Sequence, residues 1–221
     1  MGEIPRLKGD KKFNDVNERF FLAESFRILA TNVNYMLPKT KSSLGNVVYV
    51  TSGKMGEGKS LIAYNLSVAF TSINKKVLLV GADLRSPEIH NYFSMGINTK
   101  GLTDYLQHPD SNWQDIIYPG LENSKMHHIC LSGSIPPNAP QLLSIGAFEN
   151  FIVQAKSFYD IIIVDTAPTM PVTDTLLIAD YADVTLFVTR AGVTDKAVLQ
   201  EANELNRRDK LKNMAFVLND T

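Results

Sequence analysis

Asn46-Val47-Val48-Tyr49-Val50-Thr51-Ser52-Gly53-Lys54-Met55-Gly56-Glu57-Gly58-Lys59-Ser60 runs directly into Leu61-Ile62-Ala63-Tyr64-Asn65-Leu66, and this stretch decides how the rest of the chain reads. Its first seven residues have the β-branched and aromatic character of a buried strand. Residues 53–60 complete the pattern G-x-x-x-x-G-K-S, and the residues from Leu61 onward predict a helix. Three glycines let the backbone turn tightly and bring successive N–H groups to one point, while the start of the helix adds partial positive charge. The segment formed by Gly53, Lys54, Met55, Gly56, Glu57, Gly58, Lys59, Ser60 and Leu61 is therefore a cradle for polyphosphate. Lys59 is expected on the β- and γ-phosphates, and the Ser60 hydroxyl is expected to be a ligand of Mg²⁺.

Outward from this loop the chain alternates strands and helices. The pattern predicts a helix over 17–37, closed by Pro38, then strand 46–52, helix 58–72, strand 76–81 and short helices within 88–118. Strand 127–131, helix 140–157, strand 160–165, helix 172–179, strand 183–189, helix 194–207 and strand 213–218 follow. Continuous apolar runs such as Ile161-Ile162-Ile163-Val164 mark a parallel sheet covered on both faces. The expected fold is α/β, a doubly wound, mainly parallel, three-layer sandwich with its ligand at the carboxyl ends of the strands. Residues 1–16 read as a flexible segment and 17–221 as a single domain, whose abrupt end on a strand reads as an excision from a longer protein.

Lys and Arg total 22 against 23 acidic residues, for a net charge of −1. No overall basic field is present to hold nucleic acid. The single Cys130 excludes an internal disulfide and fits a reducing compartment. There is no apolar run long enough to span a bilayer, and Met1-Gly2-Glu3-Ile4-Pro5 does not resemble a signal peptide, so the reading is cytoplasmic. His127 and His128 fall on opposite faces of a strand, and none of the four histidines has metal-ligand spacing.

A phosphate-bound Mg²⁺ needs further hard oxygen ligands. Asp165 ends an apolar strand, where a Walker B acid stands and holds a metal-bound water. Asp83, just past Val77-Leu78-Leu79-Val80-Gly81-Ala82, is expected to bind metal or to take a proton from an incoming hydroxyl. Arg85 either neutralises phosphate charge or forms an exposed salt bridge.

Glu24-x-x-Arg27, the glycine loop, Asp83-Leu84-Arg85-x-Pro87, Gly133-Ser134-Ile135-Pro136-Pro137-Asn138-Ala139-Pro140-Gln141-Leu142-Leu143 and Asp165-Thr166-Ala167-Pro168 occur in this order. Together they resemble the cytoplasmic domain of bacterial tyrosine kinases, the BY-kinases attached to polysaccharide co-polymerases of capsule and exopolysaccharide export. The resemblance spans residues 18–221 and implies a P-loop NTPase fold of the deviant Walker type that uses ATP/ADP and Mg²⁺. It also implies autophosphorylation of tyrosines between subunits of a ring. Lys59, Asp83, Asp165 and Arg85 would be catalytic, Ser60, Asp83 and Asp165 would hold the metal, and Glu24 and Arg27 would lie at the subunit interface. Its implied partners are further copies of the chain, a transmembrane co-polymerase portion or activator, and a cognate tyrosine phosphatase, with the domain at the inner face of the cell membrane.

Three features depart from the family pattern. Gly81 stands where the family usually has the first aspartate of a D-x-D pair, Ala30 replaces the last arginine of E-x-x-R-x-x-R, and the eight tyrosines are scattered rather than clustered at the C-terminus. Lys54 has the spacing of the signature lysine that reaches a nucleotide across a dimer interface in deviant P-loop ATPases, and is either that or a solvated loop lysine. Asn219 either reads adenine, as in related ATPases, or is a turn residue. The leading expectation is a tyrosine autokinase regulating export. The alternatives are a nucleotide-gated oligomerisation module, which Gly81 favours, and a partitioning-type ATPase.

Overall fold

The protein is described by a computed structural model covering residues 2–6, 16–38 and 44–221, without the side chains of 16–19. Its strands are β1 (Gly2–Ile4), β2 (Asn46–Ser52), β3 (Val77–Gly81), β4 (Tyr118–Pro119), β5 (His127–Cys130), β6 (Ile161–Asp165), β7 (Val184–Arg190) and β8 (Met214–Asn219). They form one sheet in the order β1-β8-β7-β2-β6-β3-β5-β4. All pairings are parallel except the short β4–β5 ladder. Among the helices, α1 (Val16–Met36) and α2 (Lys59–Ser72) cover one face; the other carries α3 (Leu102–Gln107), α4 (Ala139–Ser144), α5 (Ala147–Lys156) and α7 (Lys196–Arg207), with α6 (Asp174–Leu177) at its rim.

The alternation along each strand explains the three layers. In β2, Val48 and Val50 pack toward α1 and α2 with Ile163 and Leu79, whereas Val47 and Tyr49 pack with Ile162, Leu78 and Phe151 on the other side. Both faces are buried, so both sets of side chains are apolar. This doubly wound arrangement sends the C-terminal ends of β2, β3, β6 and β8 to one edge. Val50 lies opposite Asp165, and Gly81 also pairs with Asp165 in register. The loops that carry chemistry therefore start within a few ångströms of one another.

Four expectations change. Gly2–Ile4, read as irregular, extends the sheet as a parallel edge strand beside β8, because Ile4 is buried against the core and the ladder continues through Thr221 N–H to Ile4 O; the expectation for residues 7–15 lies outside the described residues. The helix expected over 140–157 is two helices, broken at Gly146, whose φ of 79° is left-handed. The one expected over 172–179 shrinks to α6 followed by a 3-10 turn, Ala179–Tyr181. Tyr118–Pro119 forms the one antiparallel edge strand among the described residues, too short to show a period. Cys130 is a buried free thiol, His127 is buried against the Ser67 hydroxyl, and His128 packs on Tyr159. No described helix is long and apolar enough to cross a membrane.

Candidate active site

The glycine loop leaves the internal strand β2 and ends at Gly58, the cap of α2. Gly56 and Gly58 have φ of 81° and 95°, which a side chain would strain. A β-carbon on Gly58 would also collide with the Asn219 amide. The loop is fastened from behind by the protein's own groups. Buried Glu57 accepts the Lys54 N–H at 2.8 Å with one carboxylate oxygen and the Thr194 hydroxyl with the other. Asn219 Nδ2 donates to the Glu57 carbonyl at 3.0 Å, and Arg190 Nη1 donates to the Gly56 carbonyl at 3.1 Å while its Nε holds Asp220. The loop is thus shaped independently of any ligand.

At the start of α2, Lys59 Nζ lies 2.9 Å from Asp83 Oδ2 and 3.7 Å from Asp165 Oδ1, with all three side chains buried. Ser60 Oγ donates to Asp165 Oδ2 at 2.7 Å. Asp83 Oδ1 accepts the N–H groups of Arg85 and Ser86 at 3.2 and 2.9 Å, so the turn after β3 fixes its orientation. Burial works against the Lys59 ammonium, yet Asp165 and Asp83 outweigh it and hold its pKa above the usual value. Burial pushes the Asp165 carboxyl up to about 6, against the attraction of Lys59 and the Ser60 hydrogen bond.

Asp83 Oδ2 and Asp165 Oδ1 receive no hydrogen bond and meet the ammonium only as ion partners. Two buried carboxylate oxygens with spare lone pairs, next to a hydroxyl at a helix start, are a hard-oxygen set that fits Mg²⁺ accompanying a phosphate chain. Two clefts adjoin the loop. One, of about 270 Å³, is lined by Met55, Lys59, Asp83, Ser86, Glu88 and Tyr92. The other, of about 250 Å³, is lined by Ile4, Pro5, Leu22, Arg190, Asn219 and Asp220. Gly56, Gly58 and Leu61 belong to both. A larger hollow of about 330 Å³ beside Glu149, Lys156, Asp183 and Lys212 contains none of the predicted site residues.

The fold therefore brings Lys59, Ser60, Asp83 and Asp165 together. Arg85 forks its guanidinium onto buried Asp174 at 2.8 and 3.1 Å, the salt-bridge alternative of the two expected for it. The Asp174 bond is also what raises the Arg85 pKa. Lys54 Nζ lies 2.5 Å from exposed Asp195 in the loop before α7. Asn219 spends its amide N–H on the glycine loop. Glu24 and Arg27 pair with each other at 2.7 Å on the exposed side of α1, near exposed Phe20, Phe21 and Ile28, whereas Ala30 turns into the core. Ser132 Oγ fills the space beside Gly81: a β-carbon there would lie 2.6 Å from it.

Sequence reasoning missed Arg190, Thr194, Asp174 and Tyr92 as neighbours of the site, since each reaches it from a distant segment with no local motif.

A model of the AAA domain family matches residues 45–211. The tyrosine-protein kinase YwqD of Bacillus subtilis (strain 168) is 34% identical over 197 residues, covering 89% of this chain and 80% of that one. The tyrosine-protein kinase ptk of Acinetobacter johnsonii is 32% identical over 202 residues, covering 89% of this chain but 26% of that longer protein. Among solved structures, the chimerical protein CapA2B2 superposes with a TM-score of 0.82 at 28% identity, over 100% of this chain and 93% of that one. The septum site-determining protein MinD of Pyrococcus horikoshii OT3, complexed with Mg-ADP, shares the fold with a TM-score of 0.62 at 22% identity, over 79% of this chain and 70% of that one.

Proposed function

The chain belongs to the AAA domain family and, within it, to the bacterial tyrosine-protein kinases, and on that premise we propose that it transfers the γ-phosphoryl group of ATP to tyrosine in the regulation of capsule or exopolysaccharide export. The observation that carries this reading is the buried constellation of Lys59, Ser60, Asp83 and Asp165 at the mouth of the glycine loop.

The loop N–H groups and Lys59 hold the phosphate tail and neutralise charge that builds on it during transfer. Ser60 and Asp165, with Asp83, would hold Mg²⁺, which would supply positive charge to offset that of the phosphates. Asp83, which lines the cleft and whose Oδ2 is ion-paired with Lys59 and accepts no hydrogen bond, takes the phenolic proton. The acceptor oxygen bonds to the γ-phosphorus as the bond to the departing ADP breaks, and the proton ends on the carboxylate. The cleft lined by Ile4, Pro5, Leu22 and Asn219 takes the nucleotide base.

Exposed Phe20, Phe21 and Ile28, beside the Glu24–Arg27 pair on α1, serve contacts between copies of the chain. A co-polymerase or activator and a phosphatase are the further partners, and the rest of that assembly places the domain at the inner face of the membrane. The test is incubation with labelled ATP and Mg²⁺: phosphotyrosine is expected in the wild type and lost in Lys59→Met. No phosphotyrosine on the chain or on an added tyrosine peptide would refute the assignment.

A further inference from the structure

Tyr92 forms one wall of the cleft that contains Lys59 and Asp83. It ends a 3-10 turn, Ile89–Tyr92, nine residues beyond Asp83 in the chain. Its ring stacks on Tyr64 of α2 with centroids 4.6 Å apart and planes inclined by 17°, and Tyr64 meets Phe93 edge-on at 5.8 Å and 81°. The ring plane is therefore fixed by packing. Burial, and after it Glu88 and Asp165, push the Tyr92 phenol up to about 12. A hydroxyl that resists ionisation beside those acids is a poor nucleophile, so the cleft is offered an aromatic surface. Met55, 64% exposed, lines the same cleft and adds a flexible thioether of the kind that packs well on aromatic rings.

We propose that Tyr92 is a specificity-determining wall against which the ring of the acceptor tyrosine packs, so that the acceptor hydroxyl is held toward Lys59 and Asp83. The inference rests on the kinase reading of the site and deepens it by naming what recognises the acceptor. Aromatic pairs attract beyond their buried area and prefer defined geometries. A ring held in one plane thus favours a flat phenol over the aliphatic hydroxyls of serine and threonine. The contribution falls on the acceptor, because the nucleotide is gripped by the glycine loop and by α2.

The experiment compares wild type, Tyr92→Phe and Tyr92→Leu. The probe is a blocked alanine pentapeptide with one central tyrosine, at saturating ATP, and MgADP affinity is measured calorimetrically to report the integrity of the loop. Tyr92→Leu is expected to raise the peptide KM on the order of 3- to 10-fold, with kcat and ADP affinity within about twofold. Tyr92→Phe is expected to match wild type. An unchanged KM in Tyr92→Leu overturns the proposal. So does a defect in Tyr92→Phe, which would assign the role to the hydroxyl, or phosphate found on Tyr92 itself by mass spectrometry. Loss of ADP binding in Tyr92→Leu would make the ring a structural support and also overturn it. If the wild type shows no Lys59-dependent phosphorylation, the kinase reading itself fails and this inference with it.

Discussion

Arg85 grips Asp174 through two hydrogen bonds, Nε at 2.8 Å and Nη2 at 3.1 Å, and thereby fastens the turn after β3 to the first residue of α6. The Asp174 carboxylate is buried while the guanidinium is 44% exposed. Truncating the arginine leaves a buried charge without its partner. Arg85→Ala should therefore cost about 2–3 kcal/mol, lowering Tm by about 4–10 °C, with the KM for ATP close to wild type. Calorimetric melting and initial-rate kinetics check it; a normal Tm with a large rate loss would return Arg85 to the phosphate.

Asp165 sets a pH dependence whose sign follows from burial. Burial pushes its carboxyl up to about 6 from an ordinary value of 3.8, so the folded protein binds more protons between about pH 4 and 6. Its contribution to stability accordingly falls as pH rises through that window and is level above it. Two units at about 1.4 kcal/mol each put the ceiling near 3 kcal/mol. Urea unfolding without nucleotide, wild type minus Asp165→Asn, should show this slope. Mg²⁺-nucleotide affinity should move the other way and weaken below about pH 6, since the cation needs the carboxylate.

Asn219 holds the glycine loop by its amide rather than by shape alone. Asn219→Ala removes the donor to the Glu57 carbonyl and should cost about 1–2 kcal/mol in the absence of ligand. ADP affinity should fall as well, because the loop is no longer pre-shaped. Denaturation and ADP titration on the same preparation measure the two effects; unchanged values in both would show that Arg190 and Glu57 suffice.

Gly81 and Ser132 occupy one space. Gly81→Asp, which restores the usual family acid, places a β-carbon 2.6 Å from Ser132 Oγ and 3.2 Å from Ser132 N. Alone it should destabilise by about 1–3 kcal/mol through overpacking. Adding Ser132→Ala should recover a large part, so that in a double-mutant cycle the pair loses less than the sum of the two single losses. Additive losses would refute the shared space.

Most of the layered architecture was legible because apolar runs such as Ile161–Val164 are long enough to carry a signal, and because Gly53–Ser60 has a fixed chemical meaning. Lys59, Ser60, Asp83 and Asp165 were legible for a related reason: each sits at a strand or loop end whose direction the topology determines. Arg85 was not, since its choice between phosphate and Asp174 depends on a residue 89 positions away. Tyr92, Arg190 and Thr194 were hidden in the same way. β1 was missed because three residues cannot show a period, and its place comes from the free edge of β8 and from Ile4 finding the core.

β2 has a hydrogen-bonded neighbour on each side, β6 and β7, and helices above and below. Its amides should be among the slowest in the molecule to exchange with deuterated solvent, opening only with global unfolding. The cradle thus hangs from the least yielding part of the scaffold, whereas β1 and β4 lie at the periphery. Adjustments that admit or release a ligand will therefore be drawn from those rims, and exchange in β1 rather than in β2 is where ligand occupancy should register.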